Sequence, residues 1–165
     1  MKALSLCFAA AAMLLISLGG QDATAQNKGK SKGKGKAELQ AVEVVTYAPA
    51  ERVAEALSKS GMLAPGRDYS VIGSHRGEGP GVPEMHENFT DIYYVTEGSG
   101  TFVTGGTYEG YEETQPGEPR GGTISGGVER VLKPGDVIVI PPGIPHWFKE
   151  IPEQINYLLI KVRRD

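Results

Sequence analysis

The sequence predicts an all-β domain, a sandwich or closed barrel of short strands that follows one short helix. The chain has 23 Gly and 11 Pro, and beyond Gly66 short β-favouring segments alternate with turns rich in these residues, without helical periodicity. Residues 137–140, Val-Ile-Val-Ile, form a β-branched run that Pro141 ends, because proline cannot donate to a sheet ladder. Many short strands at this spacing are typical of a sandwich or a closed barrel.

Residues 1–25 have the pattern of a signal peptide. Lys2 supplies the positive start, residues 4–18 are apolar, and the Ala-Thr-Ala at 23–25 predicts cleavage after Ala25. The apolar run is shorter than the roughly 20 residues that span a bilayer, so we expect a secreted or periplasmic protein without a transmembrane segment. The alternative is an uncleaved anchor. The single cysteine, Cys7, lies inside the signal, so a metal site in the mature protein must use His, Asp and Glu.

Residues 26–36 alternate Lys with Gly or Ser and contain no apolar residue, which predicts a flexible basic linker. Binding of this tail to an anionic envelope or to nucleic acid is the alternative. From Ala37 onward the chain has 11 basic and 19 acidic residues, a net charge of −8. We therefore expect no nucleic-acid-binding domain, which needs a basic face.

The remaining residues are predicted to form an N-terminal extension at 37–66 and a barrel at 67–165. We expect a first strand at 42–47. A helix is predicted at 49–59, because Pro49 stands near its start, Val53, Ala56 and Leu57 share a face, and Gly61 follows its end. The remaining predicted strands are 69–76, 83–87, 90–96, 100–104, 122–124, 130–132, 136–140, 146–149 and 154–162.

A histidine follows the most strongly predicted strand. Residues 137–140 predict a strand that is buried on both sides. Pro142-Gly143 is a strong turn signal, and Pro145 restricts the backbone just before His146. A histidine held this firmly is a candidate functional residue, although it could also simply bond a backbone carbonyl in the turn.

A second group of metal-capable side chains lies upstream. Residues i and i+2 of a strand face the same side, so Glu84 and His86 should point together, and Asp91 and Tyr93 should share a face of the next strand. If these faces turn inward, three metal-capable groups converge and His146 supplies a fourth. The alternative is structural: a solvated Glu84, a rim His86 and an Asp91 that caps its turn.

These two units resemble the motifs of cupins, small double-stranded β-helix (jelly-roll) barrels. Gly135, Pro141, Gly143 and His146 match the second cupin motif in spacing, with Glu150 where the motif has Asn. In the first motif His86 falls on the second histidine, Asp91 on the glutamate and Gly98 on the closing glycine, while Glu84 stands where the first histidine is expected. The resemblance covers about residues 69–162.

The resemblance implies a divalent transition metal in the barrel, since metal-binding cupins hold Mn, Fe, Ni, Cu or Zn with three histidines and one glutamate. The corresponding residues here are His86, His146, Asp91 and Glu84. Two carboxylates make this set harder and more anionic, which favours Mn, Fe(II) or Zn over Cu. Loss of either acid would leave a 2-His-1-carboxylate set with open positions. The alternative is a metal-free barrel in which these groups bond one another.

Other residues are weaker candidates. Tyr93 could line the pocket or fill the core, and Glu84 or Glu150 could accept a proton instead of binding metal. Phe148 should share the face of His146, with Lys149 opposite, and His75 fits neither motif, so we expect it at the surface or rim. The long acidic segment 105–122 could form a lid. Its one cation, Arg120, is expected to pair with a glutamate of that segment.

Three functions agree with these residues. The first is an exported metal cupin that acts on or binds a small molecule, with dioxygenase, isomerase and decarboxylase chemistry all compatible with the resemblance. The second is a non-catalytic carrier of metal or small ligand. The third is a metal-free barrel that does acid–base work, as in epimerase-like cupins. The resemblance also implies a homodimer.

Overall fold

The computed structural model describes residues 44–164 of the 165-residue chain. The predicted signal peptide, its cleavage site, the basic linker and residues 37–43 lie outside the described residues. Within residues 44–164 no helix has the length and apolar character to cross a membrane.

The predicted helix is present as α1 (Ala50–Lys59). Pro49 precedes it, with its carbonyl accepting from the amide of Val53 at 3.0 Å. Ser60 ends the helix in the left-handed region, at φ 60°. Ala56 is the buried residue of this helix, and it rests against Gly73 of the adjoining sheet, where a Cβ would lie only 2.7 Å from the Ala56 Cβ. Glycine at position 73 therefore allows the helix to dock.

The strands are short and follow one another closely in sequence. In chain order they are β1 (Gly61–Pro65), β2 (Tyr69–Gly77), β3 (Phe89–Gly98), β4 (Gly100–Thr104), β5 (Thr107–Glu109), β6 (Glu112–Glu113), β7 (Pro119–Arg120), β8 (Thr123–Ser125), β9 (Val128–Leu132), β10 (Val137–Ile140), β11 (His146–Glu150) and β12 (Gln154–Arg163).

Two antiparallel sheets form the body of the domain, as the predicted jelly-roll requires. The larger has the order β1-β2-β12-β3-β10, and the smaller has the order β11-β4-β9. Two short pairs, β5-β8 and β6-β7, extend from them. The non-consecutive neighbours show that the chain crosses repeatedly between the sheets.

The core lies between the inner faces of the two sheets. Tyr93 and Tyr157 come from the larger sheet, and their ring centroids are 4.9 Å apart. Phe102 and Phe148 come from the smaller sheet, at 4.6 Å, in an edge-to-face arrangement. All four side chains are buried in one cluster. Aromatic contacts of this kind add about 0.5–1.5 kcal/mol per pair beyond the apolar area that they bury.

Strand alternation decides which side chains face this core. Along β3, Asp91, Tyr93 and Val95 are buried, whereas Ile92 and Tyr94 face outward. The inner face of β3 therefore places Asp91 in line with the core tyrosine, as the alternation predicts. At the end of this strand Gly98 has φ 72° and lies against the carbonyl of Gln154, so no larger residue fits there.

Three predictions about strands are wrong. Val44 to Tyr47 form no strand and are exposed, and residues 83–87 form only two isolated bridges, both at Glu84. The strand at 137–140 is not buried on both sides, because Val137 is 60% and Val139 55% exposed. The reason is topological: β10 is an edge strand, and α1 packs at the other end of the sheet, mainly on β2 and β1.

The acidic segment 105–122 also departs from the predicted long loop. It holds β5, β6 and β7. The β6–β7 hairpin folds back on residues 83–87, with the Met85 amide donating to Pro119 O at 3.1 Å and the Glu87 amide to Gly117 O at 2.9 Å. These backbone bonds place the hairpin beside two of the candidate site residues.

Candidate metal centre

The backbone sets Glu84 and His146 side by side. The Glu84 amide donates to His146 O at 3.0 Å, and the His146 amide donates to Glu84 O at 2.8 Å. In an antiparallel pair, two residues that exchange both bonds project their side chains from the same face. The turn before His146 is fixed to the same segment, because the Gly143 amide donates to His86 O at 2.9 Å. Gly143 adopts φ 76°, which explains the glycine at this position of the turn.

The four predicted metal ligands converge in the barrel interior. His86 Nε2 lies 3.4 Å from Asp91 Oδ2. His146 Nε2 lies 3.9 Å from both Glu84 Oε1 and Asp91 Oδ2. One ligand atom from each of Glu84, His86 and His146 fits within 4.8 Å of the other two. The fold thus brings together residues that lie up to 62 positions apart in the sequence.

The protonation of His146 follows from its neighbours. Its Nδ1 is 2.9 Å from Ile144 O, and because a carbonyl oxygen can only accept, Nδ1 carries the proton. Burial lowers the pKa of His146, partly opposed by the bond to Ile144 O and by the charges of Glu84 and Asp91. The neutral ring therefore presents a bare Nε2, and this buried atom has no hydrogen-bond partner among the described residues.

The donor set fits a divalent transition metal. Bonds of about 2.1 Å from His nitrogen and carboxylate oxygen place ligand atoms of a tetrahedral site about 3.4 Å apart. The distances of 3.4 and 3.9 Å between the cluster atoms are close to this value. A buried lone pair that faces two carboxylates is the arrangement that a cation would satisfy.

Asp91 has a second partner. Lys161, its neighbour on β12, places Nζ 2.9 Å from Oδ1 and 3.1 Å from Oδ2. The Asp91 side chain is only 1% exposed, so this ammonium group compensates a carboxylate that is otherwise removed from water. Asp91 therefore faces the histidines with Oδ2, while the Lys161 ammonium group lies close to both carboxylate oxygens.

Glu84 is held in a similar way. Arg120 Nη1 donates to Glu84 Oε2 at 2.6 Å, and the other oxygen, Oε1, faces His146. Arg76 Nη2 lies 4.0 Å from Oε1. The expected pairing of Arg120 with a glutamate of the acidic segment is wrong, because the hairpin brings Arg120 into an isolated bridge with Glu84.

Sequence reasoning missed Glu118. Its Oε2 lies 2.5 Å from His86 Nδ1, so the carboxylate accepts the Nδ1 proton and leaves Nε2 to face the cluster. The only signal in the sequence is the acidic character of segment 105–122. Nothing in that segment distinguishes Glu118 from its other glutamates, because the contact depends on the β6–β7 hairpin.

An open pocket of about 440 Å³ at the mouth of the barrel borders the residues that pair with the cluster. Phe89 and Lys161 line it from the larger sheet, together with Arg163, while Glu118 and Arg120 line it from the β6–β7 hairpin. Phe89 pairs with Arg163 across β3 and β12, and its ring lies 5.1 Å from the Arg163 guanidinium carbon and 5.3 Å from Lys161 Nζ. The mouth is therefore polar, with one aromatic wall.

The two weaker candidates for a catalytic role, Tyr93 and Glu150, differ in burial. Tyr93 is 2% exposed, and burial raises its pKa well above the usual value, so the phenol stays protonated at neutral pH. Its ring meets that of His146 edge to face at 6.4 Å. Glu150 is exposed at the end of β11, beyond a bulge, and does not join the cluster.

Phe148, Lys149 and His75 were also given predicted positions, and the structure shows where each lies. Phe148 shares the buried face of His146, as predicted, and Lys149 points away and pairs with Glu129 at 2.6 Å. His75 stands apart from the cluster, and its Nδ1 lies 2.7 Å from Asn156 Oδ1 in a half-buried position.

Comparison with known proteins agrees with this architecture. Residues 67–164 match the family model described as Cupin. No curated protein matches the chain. Among solved structures, a conserved protein with a double-stranded β-helix domain from Klebsiella pneumoniae has 16% identity, a TM-score of 0.50, and coverage of 73% of this chain and 91% of that one.

Two further structures are similar at lower scores. KdgF from Halomonas sp. has 22% identity and a TM-score of 0.43, with 64% of this chain and 80% of that chain covered. A cupin superfamily protein from Desulfitobacterium hafniense has 15% identity and a TM-score of 0.45, with 64% and 76% covered. The family model covers more than half of the sequence, and the jelly-roll of the described residues agrees with it: the chain belongs to the cupin family.

Proposed function

We propose that this protein is an exported cupin that binds one divalent transition metal through Glu84, His86 and His146 and acts on or binds a small molecule at the barrel mouth. The observation that carries the proposal is the buried, bare Nε2 of His146, which faces Glu84 Oε1 and Asp91 Oδ2 at 3.9 Å. A cation placed among these atoms would satisfy the lone pair and both carboxylates at once.

The donor set favours Mn, Fe(II) or Zn, since two imidazoles with one or two carboxylates form a hard site with open positions. Such an ion supplies Lewis acidity toward a bound oxygen atom of the substrate, or a site for oxygen chemistry if it is iron. Asp91 is the fourth candidate ligand, through the oxygen that faces His86.

The protein side chains around the cluster have separable roles. Phe102 and Tyr93 close the floor beneath His146, with ring centroids 5.9 and 6.4 Å from the imidazole, and keep water away from that side. Arg120 and Lys161 orient Glu84 and Asp91. The pocket beyond Arg120 and Lys161 offers space for a small molecule.

A metal-free acid–base barrel is the second candidate, and one observation favours it. Three of the four cluster residues already have a charged partner, in the pairs Glu84–Arg120, His86–Glu118 and Asp91–Lys161. In that case the groups would serve as proton donors and acceptors toward a ligand in the pocket. The orphan Nε2 of His146 argues for the metal instead.

Metal titration separates the two candidates. We expect chelator-treated mature protein to take up one Zn²⁺, Mn²⁺ or Fe²⁺ per chain in calorimetry, with elemental analysis confirming the ratio. His146→Ala should weaken binding at least about 100-fold, since losing a residue that binds the metal directly costs more than the 10–100-fold loss seen when a residue that only orients a ligand is removed. His75→Ala, at the third histidine, is the matched control and should bind like the wild type. Failure of the wild type to bind any of these ions stoichiometrically would favour the metal-free barrel.

Turnover needs its own test. Oxygen consumption by the Fe²⁺-loaded protein with a panel of phenols, thiols and keto acids distinguishes a dioxygenase from a binding module. Loss of that activity in His146→Ala, with folding retained, would assign the reaction to the metal centre. Export is tested by fractionating cells that express the full chain and sequencing the mature N-terminus, which we expect to be Gln26.

A further inference from the structure

The barrel mouth carries an excess of positive charge in a chain whose formal net charge is −3. Arg120, Lys161 and Arg163 line the pocket, and Glu118 is the acidic residue among its lining groups. Two of these cations have carboxylate partners in the cluster, Arg120 with Glu84 and Lys161 with Asp91.

Arg163 differs from the other two. Within residues 44–164 no carboxylate lies within 4.0 Å of its guanidinium, which instead lies over the ring of Phe89 at 5.1 Å. Its backbone is fixed, because the Arg163 amide donates to Asp68 O at 2.7 Å. A planar cation held over an aromatic ring, with no carboxylate of residues 44–164 on its fork of donors, suits a planar anion.

The pocket and the metal cluster are separated by one side chain. Glu118, Arg120 and Lys161 each line the pocket, and each contacts a different cluster residue. A molecule that fills the pocket is therefore one side chain away from the proposed ion.

We infer that the ligand of this site is a small organic molecule with a single carboxylate, bound through Arg163 with its apolar part against Phe89. This inference rests on the proposed function for the adjacent ion, but the carboxylate contact itself uses only protein side chains. One cation that has no carboxylate partner among residues 44–164 matches a monoanion. A phosphate dianion would also meet the negative charge of Glu118 in the same pocket.

The test uses benzoate and its uncharged counterpart benzamide as probes, titrated into the Zn²⁺-loaded mature protein and followed by ligand-observed NMR. We expect benzoate to bind at least about tenfold more tightly than benzamide, because a charge-assisted bond to Arg is lost with the carboxylate. Arg163→Gln should weaken benzoate binding by about tenfold, and Arg163→Lys should restore part of it. Arg164→Gln, the matched control at the next residue outside the pocket lining, should leave it unchanged.

Three results would overturn the inference: equal binding of benzoate and benzamide, an Arg163→Gln variant that binds benzoate like the wild type, or phenyl phosphate binding tenfold more tightly than benzoate. Repeating the titration on chelator-treated protein separates this inference from the metal proposal. The dependence of benzoate binding on Arg163 should persist without metal, whereas failure of the metal proposal would show as absent Zn²⁺ uptake.

Discussion

His86 depends on a residue from a distant part of the chain for its orientation. Glu118 accepts the Nδ1 proton at 2.5 Å, which directs Nε2 toward the cluster. A carboxylate in this position fixes the tautomer and makes the ligating nitrogen more basic. Glu118 is therefore a positioning residue for the proposed ion rather than a ligand.

Replacing Glu118 tests that role. Glu118→Gln keeps an acceptor for Nδ1 but removes the charge, so metal affinity should fall about tenfold, and Glu118→Ala should lower it further. Affinity is measured by competition with a chromophoric chelator. Glu112→Gln, an exposed residue of the same hairpin, is the control. Unchanged affinity in both Glu118 variants would show that the carboxylate does not support His86.

Lys161 is predicted to stabilise the metal-free fold. Because Asp91 is 1% and Lys161 18% exposed, Lys161→Met leaves a buried carboxylate without its counter-charge and should lower the free energy of unfolding by about 3 kcal/mol in urea. Lys149→Met breaks an exposed pair with Glu129 and should cost less than about 1 kcal/mol. Similar values for the two variants would contradict the buried-pair assignment. A saturating concentration of metal should restore part of the free energy of unfolding lost in Lys161→Met, because the bound cation also compensates the charge of Asp91.

The sequence predicted which residues converge in the cluster better than it predicted the residues that pair with them. Glu84, His86, Asp91 and His146 stand in short motifs whose strand alternation and turn residues act locally. Glu118 was missed because its contact with His86 joins residues 32 apart in sequence through a hairpin whose strands are only two residues long. Such strands are too short for residue alternation to reveal.

The docking of α1 on the larger sheet depends on one glycine. A Cβ at Gly73 would lie 2.6 Å from the backbone carbonyl carbon of Ala56. The helix backbone cannot relieve this contact unless the whole helix shifts. Gly73→Ala should therefore lower the free energy of unfolding by about 2 kcal/mol, and urea denaturation measures it. In Gly77→Ala, at the open end of the same strand, the added Cβ meets nothing within 4 Å, so stability should change by less than about 1 kcal/mol. Equal stability of the two variants would mean that α1 is not packed on β2.

Strands with a strong local pattern were predicted, and those set by their neighbours were not. The segments at 69–76, 90–96 and 154–162 correspond to β2, β3 and β12, which pair side by side in the larger sheet. The outer face of β10 was predicted wrongly, because a run of Val and Ile does not reveal whether another element covers it. The exposed Val137 and Val139 show that here the described residues leave that face open.

The buried tyrosines of the core make the stability of the whole domain depend on pH in the alkaline range. Burial raises the pKa of both Tyr93 and Tyr157, with Arg76 opposing the shift in each. The unfolded chain loses these protons near pH 10, before the folded chain does. The stabilisation is thus complete below pH 10 and declines as pH rises through the folded-state pKa values.

This pH dependence is measurable by urea unfolding between pH 9 and 11. Each buried tyrosine contributes a decline of at most about 1.4 kcal/mol per pH unit, so Tyr93→Phe should make the decline shallower by up to that amount. Tyr94→Phe is the control, since Tyr94 is 43% exposed on the opposite face of the strand. An unchanged slope in Tyr93→Phe would contradict the assignment of a protonated core phenol.

The proposed ion lies between the two inward histidines of the barrel, so the position of a bound metal tests the proposal. Crystals of the mature protein grown with Zn²⁺ should give an anomalous difference peak at the zinc edge within about 2.2 Å of Nε2 of His86, Nε2 of His146 and an oxygen of Glu84. A map with no peak among these atoms, or with zinc bound only at surface carboxylates, would contradict a metal centre in the barrel.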